Sequence, residues 1–141
     1  MKRKGSAAWT GDLRTGKGTV STESGALDQR PYGFNTRFGD EKGTNPEELI
    51  GAAHASCFSM ALSNELGKAG VLNPTIATTA TVEIQQGDGG FAITSSHLDV
   101  TVTAKGADRA KVEAATETAK ANCPVSKVLN CEVTMTARFD V

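Results

Sequence analysis

Aromatic side chains are scarce in this sequence: one Trp, one Tyr and five Phe in 141 residues. That leaves little with which to stack nucleic-acid bases. Net charge is also lacking. Fifteen basic and sixteen acidic residues leave a formal charge of −1, so electrostatic binding to nucleic acid or to an anionic membrane is not expected. No uncharged apolar run is long enough to cross a bilayer. Met1-Lys2-Arg3-Lys4-Gly5 is basic, but no apolar stretch follows it, so it does not read as a secretory signal. The expected compartment is therefore the reducing cytoplasm. Three cysteines are too few, and odd in number, for a disulfide framework; thiol chemistry or metal binding is the better expectation. The length suits one domain, 1–141, with a real core.

The stretch from Thr44 to Gly70 is the strongest helix signal. Asn45 is placed to cap it, because its side-chain oxygen can accept an orphan N–H of the first turn. Pro46 stands at the first helical position, where a missing N–H costs nothing. Glu47 and Glu48 lie at the positive end of the dipole, and Gly70 is suited to the C-terminal cap. From Gly51 to Ala61 there is no charged side chain apart from a protonated His54. Small and apolar residues run nearly all the way round, which predicts burial on most faces. One chain of this size offers few elements to cover such a helix, so a symmetric dimer is expected. Cys57 lies in the middle of it.

Before this helix, residues 6–24 read as a hairpin with a Gly-rich link, and Phe34–Phe38 as a short extended piece carrying Arg37 between two aromatics. After it, Ile76–Ile84 reads as a strand. A turn around Gly87-Asp88-Gly89-Gly90 leads to a long strand, 91–104, on which Leu98, Val100 and Val102 share one face and His97 stands on the polar one. Asp108 is placed to cap a helix running to about Asn122. Pro124 then opens a short helix, which puts Cys123 at its start, where free N–H groups favour a thiolate. Residues 131–141 alternate as a final strand, with Cys131 on the apolar face. Strands arriving as hairpins predict an α+β fold with antiparallel sheets.

Two thiols in reactive settings, Cys57 and Cys123, stand 66 positions apart, which is not a local CxxC motif. Four readings fit. In a two-cysteine peroxidase, one thiol becomes a sulfenic acid and the other closes a disulfide with it. The attacking thiol then needs a nearby cation such as Arg37, which a carboxylate such as Glu47 could hold by a bidentate pair. A cysteine hydrolase would use Cys57 with His54, three positions away on one helix face, but lacks a visible third residue. A metal site would use His54, Cys57 and Cys123, without supporting ligand spacing. A non-enzymatic redox sensor or binding module would use the same thiols without turnover.

The run Asn45-Pro46-Glu47-Glu48-Leu49 into Ala52-Ala53-His54-Ala55-Ser56-Cys57, with Asn122-Cys123-Pro124-Val125-Ser126 downstream, resembles the OsmC/Ohr family of bacterial hydroperoxide-resistance proteins, and within it the osmotically inducible OsmC branch. Gly16–Ser24 and Pro31–Phe38 resemble that branch too, so the likeness spans essentially the whole chain. The resemblance implies a peroxidatic Cys57, a resolving Cys123, a catalytic Arg37 and its partner Glu47. It also implies an intertwined homodimer, with antiparallel sheets wrapped around central cysteine-bearing helices. Organic hydroperoxides would be preferred over hydrogen peroxide, a dithiol such as a protein-bound lipoyl group would be the reductant, and no cofactor or metal would be needed. One tension follows from the physics: the helix start favours Cys123 as the better-activated thiol, whereas burial raises the pKa of a mid-helix Cys57 unless Arg37 offsets it.

Overall fold

The computed structural model describes residues 1–141, and its contacts divide the chain into two compact units, Met1–Leu49 and Ile50–Val141. In the first unit, β1 (Gly5–Thr10) and β2 (Lys17–Thr22) form the expected antiparallel hairpin, with Thr10 opposite Lys17. β3 (Arg30–Tyr32) adds to β2, and Trp9 and Tyr32 meet with ring centroids 5.4 Å apart. Phe34–Phe38 is not extended. It is one helical turn, α1, started by Thr36, whose hydroxyl accepts from the Gly33 N–H at 2.9 Å. This local capping bond outweighs the aromatic, β-branched composition that suggested a strand. No apolar side chain of Met1–Leu49 joins the buried core, whose members all lie between Phe58 and Cys123.

α2 runs from Pro46 to Lys68. Its start is capped as expected: the Asn45 side-chain oxygen accepts from the Glu48 N–H at 2.9 Å. At its end, Gly70 takes φ +80°, and the Val71 N–H reaches back to the Leu66 carbonyl at 2.9 Å. That is the left-handed glycine cap that closes a helix on its own carbonyls.

The second unit pairs α2 with a three-stranded sheet in the order β4-β5-β6. β4 (Thr75–Gly87) and β5 (Gly90–Thr103) are joined by the two-residue turn Asp88-Gly89, which brings Gly87 opposite Gly90. α3 (Arg109–Asn122) is capped by Asp108, and α4 (Pro124–Val128) follows directly. β6 (Glu132–Asp140) then pairs with β5 in parallel, Ser95 opposite Glu132 and Thr103 opposite Asp140. This corrects the expectation of purely antiparallel sheets. The α3–α4 crossover is long enough to return the chain to the same end of the sheet, as a parallel pair requires.

Leu98, Val100 and Val102 of β5 are fully buried, as are Phe58, Leu62 and Leu66 of α2 and Val112 and Ala119 of α3. Removing a Val, Leu or Phe side chain from water contributes roughly 1.5–3 kcal/mol each. Gly51 lets the helix approach the sheet: a Cβ there would lie 2.9 Å from the Ala80 carbonyl oxygen. One stripe of α2 is buried, Glu47, Gly51, His54, Phe58, Leu62 and Leu66. Ala52, Ala53, Ser56 and Met60 are exposed, Met60 to 77%. Burial on most faces is therefore not achieved within one chain, because a single sheet covers one side of a helix. No helix is long and apolar enough to cross a membrane.

Candidate active site

The sequence-predicted residues form two clusters, one in each unit. In the first, α1 and the first turn of α2 bring Arg37 to Glu47. Arg37 Nη2 donates to Glu47 Oε1 at 2.7 Å, and its Nε lies 3.2 Å from both carboxylate oxygens. The Glu47 side chain is 9% exposed and that of Arg37 34%. Two donors of a rigid fork on one carboxylate fix the guanidinium more firmly than a single contact would. The guanidinium also lies 5.2 Å from the Phe38 ring centre. Beside it opens a cavity of about 280 Å³ walled by Trp9, Leu13, Tyr32, Phe34 and Phe38.

In the second cluster, α2 presents the half-buried Cys57, and the junction of α3 and α4 presents the fully buried Cys123. Cys123 ends α3, its N–H donating to the Ala119 carbonyl at 2.9 Å, and it caps the start of α4. The two thiols lie close enough to act on each other's titration. Burial pushes the Cys57 thiol up. A bond from the Val125 N–H works against this, but donation of its own proton to Cys123 keeps its pKa raised. Burial also pushes on Cys123, but is outweighed by the Ser126 N–H, the Cys57 thiol, the Ser126 hydroxyl and the Val125 N–H, which hold it below the ordinary thiol range. The helix-start argument thus holds in direction: Cys123 is the better acid of this pair.

His54, one turn before Cys57, does not serve Cys57. Its ring is fully buried, with Nδ1 2.7 Å from Ser96 Oγ on β5 and Nε2 2.8 Å from Ser126 Oγ on α4. Both nitrogens are thus committed, which removes the support for a Cys57–His54 hydrolase. Ser96 and Ser126 were not singled out by sequence reasoning. They lie 42 and 72 positions from His54, and no local spacing signals such contacts. No group of three or more His, Cys, Asp or Glu side chains is placed to hold a metal ion. Cys131 is half-buried just before β6 and lies outside the apolar core cluster, which takes in Val133, Met135, Ala137 and Phe139. His97 bonds Thr134 Oγ1 at 2.6 Å and stands apart from both clusters.

Burial lowers the pKa of His54. A histidine depressed in the fold binds its proton less readily there than in the unfolded chain, so the stability it contributes is complete above the ordinary value of about 6.5 and is lost as pH falls toward the folded value. The urea midpoint should therefore fall from about pH 7.5 to about pH 5 more steeply in the wild type than in His54→Gln. Parallel curves would show that His54 is not held neutral by the fold.

A family model described as "OsmC-like protein" matches residues 39–138. The chain belongs to the OsmC family. The match includes Glu47, Cys57 and Cys123 and begins just after Arg37. Among curated OsmC relatives, Peroxiredoxin OsmC of Escherichia coli (strain K12) is 59% identical over 135 residues, 96% of this chain and 94% of that one. Organic hydroperoxide resistance protein OhrB of Bacillus subtilis is 30% identical over 111 residues, 78% of this chain and 79% of that one. Among solved structures, an organic hydroperoxide resistance protein from Elizabethkingia anophelis superimposes with a TM-score of 0.73 at 26% identity, covering 99% of this chain and 98% of that one. The α+β architecture with two small sheets is thus the OsmC-like fold.

Proposed function

We propose that this OsmC-family chain is a thiol-dependent peroxidase that reduces organic hydroperoxides in preference to hydrogen peroxide, in defence against oxidative and osmotic stress. The observation that carries the reading is the closeness of Cys57 and Cys123 across 66 positions of sequence; the printed names of the relatives agree with it. The Cys57 thiolate attacks the hydroperoxide: an S–O bond forms, the O–O bond breaks, and the alcohol leaves with a proton. Cys123 then attacks the Cys57 sulfur, forming the disulfide and releasing water. An external dithiol, such as a lipoyl group on a protein, reduces it by exchange. No cofactor is needed, because the two thiols supply both electrons. In this reading the Arg37–Glu47 pair supplies the positive charge that offsets the burial of Cys57. The aromatic cavity beside Arg37 suits the carbon tail of an organic peroxide, as apolar walls bury apolar surface.

Two features support an intertwined homodimer acting as one domain, 1–141, per subunit. The sheet of Met1–Leu49 buries no apolar side chain, and three such strands need a hydrophobic face to be stable. The exposed face of α2, with Ala52, Ala53 and Met60, offers one. Three cysteines, too few and odd in number for a disulfide framework, fit a cytoplasmic setting.

The test is peroxide consumption with dithiothreitol as reductant, comparing cumene hydroperoxide with hydrogen peroxide at equal concentration. Continuous turnover, faster with the organic peroxide, is expected. Consumption that stops at one equivalent despite excess dithiol would instead identify a sensor.

A further inference from the structure

The peroxidase reading uses two thiols and an ion pair, and leaves unexplained a buried imidazole with both nitrogens bonded to serines. The serine on its Nε2 side is also one of the groups that lower the Cys123 pKa. Hydrogen bonds of 2.8 Å and 2.7 Å therefore link the Ser126 hydroxyl, His54 and the Ser96 hydroxyl, and Ser126 stands in the first turn of α4, which Cys123 caps, where it lowers the Cys123 pKa. These bonds join α4, α2 and β5, and every link lies in the second unit. Buried polar groups of this kind are costly unless satisfied. An apolar residue at position 54 would fill the same space without needing two serines.

We propose that Ser126 and His54 form the route by which the Cys123 thiol gives up its proton when it attacks the Cys57 sulfenic acid, with His54 acting on Cys123 through Ser126 as a positioning residue. The proposal rests on the peroxidase reading and adds to it the control of the second step.

The chemistry follows from hydroxyls that can reverse their bonds. When Cys123 is a thiolate, the Ser126 O–H donates to sulfur and accepts from His54 Nε2–H. In that state Cys123 can accept the Cys57 proton, as their closeness allows, so that Cys57 attacks the peroxide as a thiolate. Cys123 is then a thiol, and a thiol is a poor nucleophile. The bonds now run the other way. The Cys123 S–H donates to Ser126, the Ser126 O–H donates to Nε2, and Nδ1–H donates to Ser96. As the S–S bond forms and the S–O bond of the sulfenic acid breaks, the Cys123 proton passes through Ser126 to the imidazole. Hydroxide leaves and takes up a proton, the imidazolium returns its proton to solvent, and the sum is one disulfide and one water.

The surroundings are consistent with a base of this kind. From the sheet, His54 meets Ser96, whose ladder partners Val82 and Val133 are apolar. On its own helix Cys57 stands three positions on, and the α3–α4 junction carries Cys123. Glu117, Lys120 and Cys131 line a separate cavity that Ser126 also borders, while Lys127 of α4 is exposed.

Rapid mixing with one equivalent of cumene hydroperoxide separates the two steps, with sulfenic acid trapped by dimedone and disulfide read by quenched thiol counting. Ser126→Ala and His54→Gln are expected to slow sulfenic acid formation much less than they slow the second step. They should close the disulfide roughly tenfold or more slowly and accumulate trappable sulfenic acid. Ser126→Thr, which keeps a hydroxyl, should restore closure. The wild-type closure rate should show an inflection below the ordinary histidine range that is absent from His54→Gln. Closure at the wild-type rate in Ser126→Ala overturns the proposal, and so does a slowed first step with unaltered closure. If His54→Gln fails to fold, the Ser126→Ala and Ser126→Thr pair still decides. Failure of the underlying reading is distinguished by Cys123→Ser: without trappable sulfenic acid on Cys57 in that variant, the peroxidase assignment itself falls.

Discussion

Cys57→Ser is expected to abolish turnover of organic hydroperoxides, while Cys123→Ser consumes about one equivalent and stops. The first variant removes the atom on which the S–O bond forms, and no rate beyond the uncatalysed background should remain. The second leaves an attacking thiol but no partner to displace hydroxide, so the enzyme halts at the sulfenic acid. Mass spectrometry of Cys123→Ser after peroxide should show one added oxygen at residue 57, and stoichiometric titration should reach a plateau. The raised pKa of Cys57 and the lowered pKa of Cys123 make the opposite assignment physically meaningful. If Cys123→Ser is dead and Cys57→Ser still reacts once, the better acid is also the attacking thiol and the roles exchange. The expected order survives that difference in acidity because a thiolate of higher pKa is intrinsically the better nucleophile once formed. Cys123 beside it can take up the Cys57 proton and speed the step; in Cys123→Ser solvent takes that proton instead, so the one equivalent is consumed more slowly.

Arg37→Ala should lower kcat/KM for cumene hydroperoxide by roughly 10²–10³-fold, the usual loss when one preorganised donor to developing negative charge is removed. Arg37→Lys should recover little of it, because an ammonium cannot make the two-donor contact with Glu47. Glu47→Gln should be milder, about tenfold, since the arginine remains but is held by neutral hydrogen bonds. Steady-state kinetics on all three, with circular dichroism to verify folding, is the measurement. An Arg37→Ala rate within about threefold of wild type would remove Arg37 from the mechanism. A loss in Arg37→Ala that Arg37→Lys fully recovers would reduce its role to that of a generic positive charge.

Local signals carried much of the fold into the sequence. Asn45, Pro46 and Gly70 mark α2 because capping is a matter of a few neighbouring residues. The same holds for the Asp88-Gly89 turn, the Asp108 cap of α3 and the position of Cys123 ahead of Pro124. What was not legible depended on distance. The helical turn at Phe34–Phe38 runs against its own composition and is held by Thr36 on Gly33, with Arg37 tied to a residue ten positions on. The parallel pairing of β6 is decided by where the crossover returns the chain, and alternation in a strand is the same for either direction. The cysteine motifs gave the thiols, but the serines around His54 had no signature, since a serine on a strand or in a short helix is ordinary in either place.

The parallel β5–β6 pair also sets an order of events during folding. A hairpin such as β4–β5 closes through two residues, but β6 reaches β5 only after α3 and α4 have been laid down between them. The junction bearing Cys123 therefore meets Cys57 late. Before it does, the nearest thiol to Cys123 along the chain is Cys131, eight positions away. Closing the 66-residue loop to Cys57 costs about 2 kcal/mol more in chain entropy than closing the eight-residue one. A nascent chain exposed to oxidant is thus biased toward a Cys123–Cys131 bridge, which withdraws Cys123 from Cys57. A peroxidase working through Cys57 and Cys123 would therefore depend on assembly in surroundings that keep all three cysteines reduced until the crossover is in place.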